Sequence, residues 1–339
     1  MGLLALLLSL SACQQEGAEV PEPANAIYHW RSQLTLSARE RAFLRDQQIG
    51  KVYLHLFDVV RRNGQLRPDA TVSIIDTLPD NIHVIPIVFL APNVLQDTTG
   101  LSAMPQLIAR RVTEMMVQNG LPRPDELQID FDWTKRNQSR YYSLLSSLRQ
   151  AFEAEGGHRL SATIRLHQLS MKAPPVDYGA LMVYNVGNYA SYDERCSILT
   201  PERVKPYLRH LPDYPLPLCT ALPIYSWDLL FHDHEFECIL RGVNLQDTTN
   251  FEPLDATHYR CTAYLPIPPA GVTTNGRGRI LPFDVVRHEQ VSAAMLDSVR
   301  SMLHESRPSA VGQVILYHLD EKQINQYSNE ELKALYTGH

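Results

Sequence analysis

Eight short runs rich in Val, Ile, Leu and Tyr recur along the chain, separated by longer segments of helical period, and this alternation limits the fold more than any other feature. The runs are residues 26–30, 51–58, 83–90, 126–133, 160–166, 180–186, 218–225 and 313–319. Strands alternating with helices make βα units that feed a parallel sheet. Eight such units favour the closed (β/α)8 or TIM barrel within the α/β class over an open doubly wound sheet. No Gly-rich phosphate loop follows the first run, which weighs further against a dinucleotide-binding fold.

The helical segments carry their own start and stop signals. Residues 37–46 follow the first run, and 104–119 precede the fourth, with Gly120 placed to stop them. Residues 139–155 set Tyr142, Leu145, Leu148 and Phe152 on one stripe and end at Gly156 and Gly157. Thr200 followed by Pro201 predicts a helix start, residues 288–304 predict a helix before the eighth run, and Ser328 with Glu331 forms a capping box for the last helix. Residues 228–283 break the pattern: they are long, hold two cysteines and contain Gly- and Pro-rich stretches, and they read as an insertion after the seventh strand, over the C-terminal face of the barrel.

The first 12 residues are an apolar run of Leu and Ala, too short for a membrane span, which needs roughly 20 apolar residues. They end in Leu10, Ser11, Ala12 and Cys13, followed by the polar Gln14, Gln15 and Glu16. This stretch resembles the lipobox of bacterial lipoproteins. The resemblance implies a signal peptide over 1–12, lipidation at Cys13, a flexible tether over 13–25 and a barrel domain over 26–339, lipid-anchored in the bacterial cell envelope on its periplasmic or outer-membrane face. No Lys or Arg precedes the apolar run, a departure from that pattern. The net charge of -6, with both signs interspersed, offers no basic face for nucleic acid. Besides Cys13 there are Cys196, Cys219, Cys238 and Cys261; in an exported protein these are candidates for disulfides, with three pairings open. They lack the close spacing of structural zinc sites, and neither a metal nor another cofactor is expected.

Catalytic groups of a barrel stand at the C-terminal ends of its strands. The densest candidate is the end of the fourth run, where strand alternation puts Asp130, Asp132 and Thr134 on one face and Ile129, Phe131 and Trp133 on the other. Two carboxylates on an inner face are costly unless bonded or used. Arg165, in the apolar fifth strand, needs an acidic partner, for which Asp130 or Asp132 is placed. Trp30, Tyr184, Tyr225, Trp227 and Tyr317 recur at strand ends, and such faces stack on the apolar sides of pyranose rings. His55 and Asp58 after the second strand, Asn185 after the sixth, His167 on the fifth, and His318 and Asp320 on the eighth add polar groups at the same level. The run His232, Asp233, His234 and Glu235 reads as a solvated loop rather than a metal site.

Asp130-Phe131-Asp132-Trp133 resembles the centre of the Asp-Gly-x-Asp-x-Asp-x-Glu motif of family 18 glycoside hydrolases, the chitinases and their relatives. Met182-Val183-Tyr184-Asn185 is similar to that family's Met-x-Tyr-Asp, and Ala221-Leu222-Pro223-Ile224-Tyr225 to its Gly-x-Pro-x-Tyr; Tyr317-His318-Leu319-Asp320 stands where the family carries Trp shortly before Asp. The departures are as specific as the matches. Thr134 occupies the place of the glutamic acid that protonates the glycosidic oxygen, Leu127 that of the first aspartate, Asn185 that of an aspartate and Tyr317 that of the tryptophan. A threonine hydroxyl cannot serve as that acid.

The resemblance therefore implies a glycosidase-like barrel that binds or hydrolyses a glycan, with an oligo- or polysaccharide as partner and the membrane reached through the N-terminal lipid. If it acts as an enzyme, Asp132 is expected to be the acid or to orient the substrate, Asp130 to tune it, and Trp30, Asp58, Arg165, Tyr184, Asn185, Tyr225, Trp227, Tyr317 and Asp320 to contact the sugar. The competing expectation is a non-catalytic glycan-binding or envelope scaffold protein with a degenerate site.

Overall fold

The computed structural model of the protein describes residues 24–267, 272–273 and 278–338. Cys13 and the apolar run before it, expected to be a lipidation site and a signal peptide, and part of the Pro- and Gly-rich stretch of the insertion lie outside the described residues. Eight parallel strands form the core: β1 Asn25–His29, β2 Ile49–Arg62, β3 His83–Leu90, β4 Glu126–Asp130, β5 Arg159–Arg165, β6 Tyr178–Met182, β7 Leu218–Pro223 and β8 Val314–Tyr317. Each pairs with its neighbours, and β1 pairs with both β2 and β8, so the sheet closes on itself. The chain is a (β/α)8 barrel. Every run that the alternating pattern marks as a strand is one.

Helices α1 Ala38–Asp46, α2 Met104–Gln118, α3 Gln138–Ala154, α4 Pro201–Leu208, α5 Ala293–Ser306, α6 Glu321–Ile324 and α7 Asn329–Thr337 pack outside the strands. Local chemistry sets their ends. Ser37 with Glu40, and Ser328 with Glu331, form reciprocal capping boxes, and Gly120 takes the left-handed backbone (φ 72°) that ends the turn after α2. Two strands lack an α-helical crossover. The strand Gln65–Asp69 folds back antiparallel on β2, and β5 leads only into the 3-10 turn Leu166–Ser170.

The insertion differs from expectation in its extent and its flank. A six-stranded sheet orders Phe251–Pro253, His258–Cys261, Val285–Gln290, Ser226–His232, Glu235–Leu240 and Val272–Thr273 side by side. Residues 288–290, expected in a helix, are strand. His288, Glu289 and Gln290 carry no apolar period that would mark either state, and pairing with Ser226, Trp227 and Asp228 decides for strand, so α5 begins only at Ala293 behind the Ser292 cap. His232 to Glu235 close a two-residue hairpin, with Asp233 and His234 both at positive φ. All four described cysteines are buried and unpaired. Cys238 and Cys261 share the insertion's small core but sit on strands with two others between them.

Inside the barrel, side chains of alternate residues interlock. Tyr28, Tyr53, Ile85, Ile87, Tyr178, Met182, Cys219 and Ile315 fill the bore. Its polar groups are bonded to one another: Tyr28 Oη donates to Gln128 Oε1 (2.8 Å), Ser161 Oγ and Tyr178 Oη donate to Glu126, and Lys51 Nζ donates to Gln313 Oε1 (2.9 Å). Burial pushes the Glu126 carboxyl up, against the pull of Tyr178 and Arg159. A bore this filled has no channel, so any chemistry belongs to its mouth.

Candidate functional site at the barrel mouth

Glu126, Gln128 and Asp130 alternate inward along β4, and Ser161, Thr163 and Arg165 alternate inward along the adjacent β5. Their uppermost members meet. Asp130 Oδ1 accepts from Thr163 Oγ1 (2.6 Å) and from Arg165 Nη2 (2.8 Å), with Asp130 buried. Burial works against the guanidinium charge, and the Asp130 carboxylate more than restores it, holding Arg165 above the ordinary arginine range. Arg165 Nη1 is buried without a bonding partner among the described residues. The pair gives the mouth a fixed, internally neutralised ion pair.

Asp132 does not join it. The strand ends at Asp130, and Trp133 N–H donates to the Phe131 carbonyl (3.1 Å) instead of to a neighbouring strand. That tight turn breaks the alternation from which Asp130, Asp132 and Thr134 were expected on one inner face. Asp132 is 55 % exposed on the rim, where Gln168 Nε2 donates to it (3.0 Å) and His167 Nε2 lies 3.5 Å away. Thr134 is exposed too, its N–H donating to Asn137 Oδ1 (2.8 Å) ahead of α3. Two of the three groups aligned with the family motif thus face the rim.

The aromatic residues form a connected arc. Ring centroids run from Trp30 to Tyr317 (5.9 Å), Tyr317 to Tyr184 (5.2 Å), Tyr184 to Tyr225 (6.1 Å) and Tyr225 to Trp227 (5.6 Å). Trp30, Tyr184, Trp227 and Tyr317 keep part of their surface in solvent, while Tyr225 is buried and donates through its hydroxyl to Asn185 Oδ1 (2.5 Å). Asn185 is exposed and sits at positive φ (55°). Burial pushes the Tyr184, Tyr225 and Tyr317 phenols up, so they stay protonated and able to donate. Trp227 Nε1 donates to Glu289 Oε2 (2.9 Å), which ties the arc to the insertion.

Two further expected groups have specific places. Asp58 bonds His55 (2.7 Å), whose ring stacks on Trp30 with centroids 4.5 Å apart. Asp320 caps a helix: its Oδ1 accepts the N–H groups of Lys322 (3.0 Å) and Gln323 (3.4 Å) at the start of α6. Thr163, Gln168 and Glu289 hold the site and were not foreseen. An arginine inside a strand announces its need for a carboxylate, but a glutamine in a short turn announces nothing. Among the described residues no cluster of His, Cys, Asp and Glu could hold a metal ion.

The sequence matches no protein-family model and no curated protein. The fold is similar to several solved structures. A chitinase from Chromobacterium violaceum superposes with a TM-score of 0.53 at 12% identity, over 93% of this chain and 98% of its own. The spore cortex-lytic enzyme SleL of Bacillus cereus gives 0.52 at 11% identity, over 94% of this chain and 74% of its own. The family 18 chitinase ChiB of Flavobacterium johnsoniae gives 0.50 at 13% identity, over 93% and 95%. At such identities the likeness is one of architecture: this chain has the (β/α)8 fold on which those enzymes are built.

Proposed function

We propose that this barrel binds a glycan across its C-terminal mouth without the acid catalysis of family 18 glycoside hydrolases. The observation that carries the proposal is the arc of Trp30, Tyr317, Tyr184, Tyr225 and Trp227 beside the Arg165–Asp130 pair. Aromatic faces and edges suit the apolar faces of pyranose rings, and protonated phenols with an arginine suit their hydroxyls. The fold shared with chitinases supports a sugar as the ligand. The exposed Thr134 in the acid's place, and Asp132 turned to the rim, favour binding over cleavage.

Incubating the purified protein with chito-oligosaccharides and a panel of soluble polysaccharides tests this. Saturable binding without released product is expected, weakened by about tenfold or more on Tyr184→Ala if a stacking contact is lost. Product formation that disappears in Asp132→Ala would instead make the protein a hydrolase using that carboxylate. We propose in addition that the chain is an exported lipoprotein held to a bacterial envelope through Cys13, on the strength of the Leu10-Ser11-Ala12-Cys13 run. Cys13→Ser should then move the protein from the membrane to the soluble fraction, and an unchanged distribution would exclude the anchor.

A further inference from the structure

His55 and Asp58 are three residues apart on β2, so in a regular strand they would point to opposite faces of the barrel wall. The register of β2 against β3 shows why they do not. His55 pairs with Ile87 and Phe57 with Val88, leaving Leu56 as one extra residue, a β-bulge. Leu54, Leu56, Phe57 and Val59 all belong to the outer apolar core, whereas Tyr53 lies in the bore. The bulge therefore resets the parity, putting two successive residues outward and returning Asp58 to the side that His55 occupies. It is pinned from outside, since the Leu56 carbonyl accepts the Val72 N–H (2.8 Å).

The chemical consequence follows from the bond itself. His55 Nε2 lies 2.7 Å from Asp58 Oδ1, and an ionised carboxylate only accepts. Nε2 must carry the hydrogen, and in the neutral ring Nδ1 is then a lone-pair acceptor. The ring cannot turn freely, because Trp30 stacks on it at 4.5 Å with 24° between planes. His55 is buried, with its side chain 6 % exposed, and that of Asp58 is 24 % exposed, so the dyad lies just under the rim of the mouth with Asp58 the more open of the two. An acceptor of this kind, beside the Trp30 end of the arc, complements the donor Arg165 at the same mouth.

We propose that the Leu56 bulge builds a glycan subsite on the β1–β2 side of the mouth, in which His55 Nδ1 accepts a hydrogen bond from a sugar hydroxyl. Asp58 is the positioning residue that fixes the tautomer, and Trp30 is the wall that fixes the ring. The subsite rests on the glycan-binding proposal above and adds to it which hydrogen-bond polarity the ligand must present at this place.

The test uses the full-length protein and chitotetraose as probe, with calorimetric titration beside nitrogen-15 spectra of histidine-labelled protein. The spectra of the free protein should show His55 as a single Nε2–H tautomer, identified by the signal missing from His55→Gln. Asp58→Asn should turn that signal into a mixture of tautomers. His55→Phe, which keeps the stack on Trp30 and removes the acceptor, should weaken chitotetraose binding by roughly tenfold, the scale of one hydrogen bond. His55→Gln, whose amide still donates to Asp58 and retains an acceptor oxygen, should stay within about threefold of the parent. Parent-like affinity in His55→Phe, or an Nδ1–H tautomer in the parent, overturns the proposal. Absence of any glycan binding by the parent overturns it as well, and the Nε2–H tautomer then shows that the glycan assignment failed while the dyad is as built. Should His55→Phe fold poorly, Asp58→Asn decides in its place: its mixture of tautomers should weaken chitotetraose binding about twofold or more, and parent-like affinity beside a mixed-tautomer spectrum overturns the proposal.

Discussion

His29 follows Tyr28 on β1, and since Tyr28 fills the bore, the imidazole faces outward into a fully buried place where neither ring nitrogen has a bonding partner among the described residues. Burial, then the nearby Arg31 and His318, lower its pKa from 6.5 to about 3, and burial lowers that of His318 to about 4. Both rings are neutral in the folded protein at pH 7. The unfolded chain takes up these protons near pH 6.5 while the folded chain refuses them, so stability is complete above about 6.5 and falls as the pH drops towards 3. At pH 4.5 the loss from His29 alone is roughly 2–3 kcal/mol. The gap between Tm at pH 7.5 and at pH 4.5 should therefore narrow in His29→Phe, which has no proton to take up. A gap as wide as the parent's would show that His29 is not the acid-sensitive group. The same scale explains Arg165: its need for a carboxylate was legible in the sequence, while the choice of Asp130 over Asp132 was decided by the turn after β4.

At the scale of elements, the strands and most helix ends could be read from periodicity and caps, because both depend on neighbours within a few residues. Three places could not. The bulge at Leu56, the tight turn after Asp130 and the strand at Val285–Gln290 are each decided by a partner distant in sequence: Val72, Gln168 and Ser226–His232. These are also the places that shape the mouth, which is why the candidate carboxylates were legible as residues and not as a geometry. The last of the three carries a clamp. Arg287 is fully buried, paired with Glu289 (2.7 Å), and donates to the carbonyls of Tyr189, Ser191 and Tyr192 in the loop after β6. Glu289 in turn accepts from the Ser197 N–H and hydroxyl and from Trp227. Removing one member of a buried pair leaves the other uncompensated, at a cost of about 3–5 kcal/mol. Arg287→Met should lower the urea midpoint accordingly and speed amide exchange over residues 189–197. An unchanged midpoint would mean that the loop is held by something other than this clamp.

For the molecule as a whole, the question is whether the backbone after β4 could present an acid to the mouth from residue 134 or has a shape that forbids it. Thr134→Glu separates the two. A backbone of the first kind would point the new carboxyl at the mouth, and the variant would then cleave chito-oligosaccharides. The turn at Phe131–Trp133 argues the other way: the chain leaves the barrel wall at Asp130, Gln168 holds the Trp133 carbonyl (2.9 Å), and residue 134 is already engaged with Asn137 at the approach to α3. A glutamate there would stand in solvent on the rim. It would have neither the burial that raises an acid's pKa nor a path to a glycosidic oxygen seated on the Tyr184–Tyr317 arc. The expected outcome is no detectable product from Thr134→Glu, with chitotetraose affinity within about twofold of the parent, since an exposed substitution away from the arc disturbs little. Measurable hydrolysis would show that residue 134 can reach a bound sugar, against this reading of the turn.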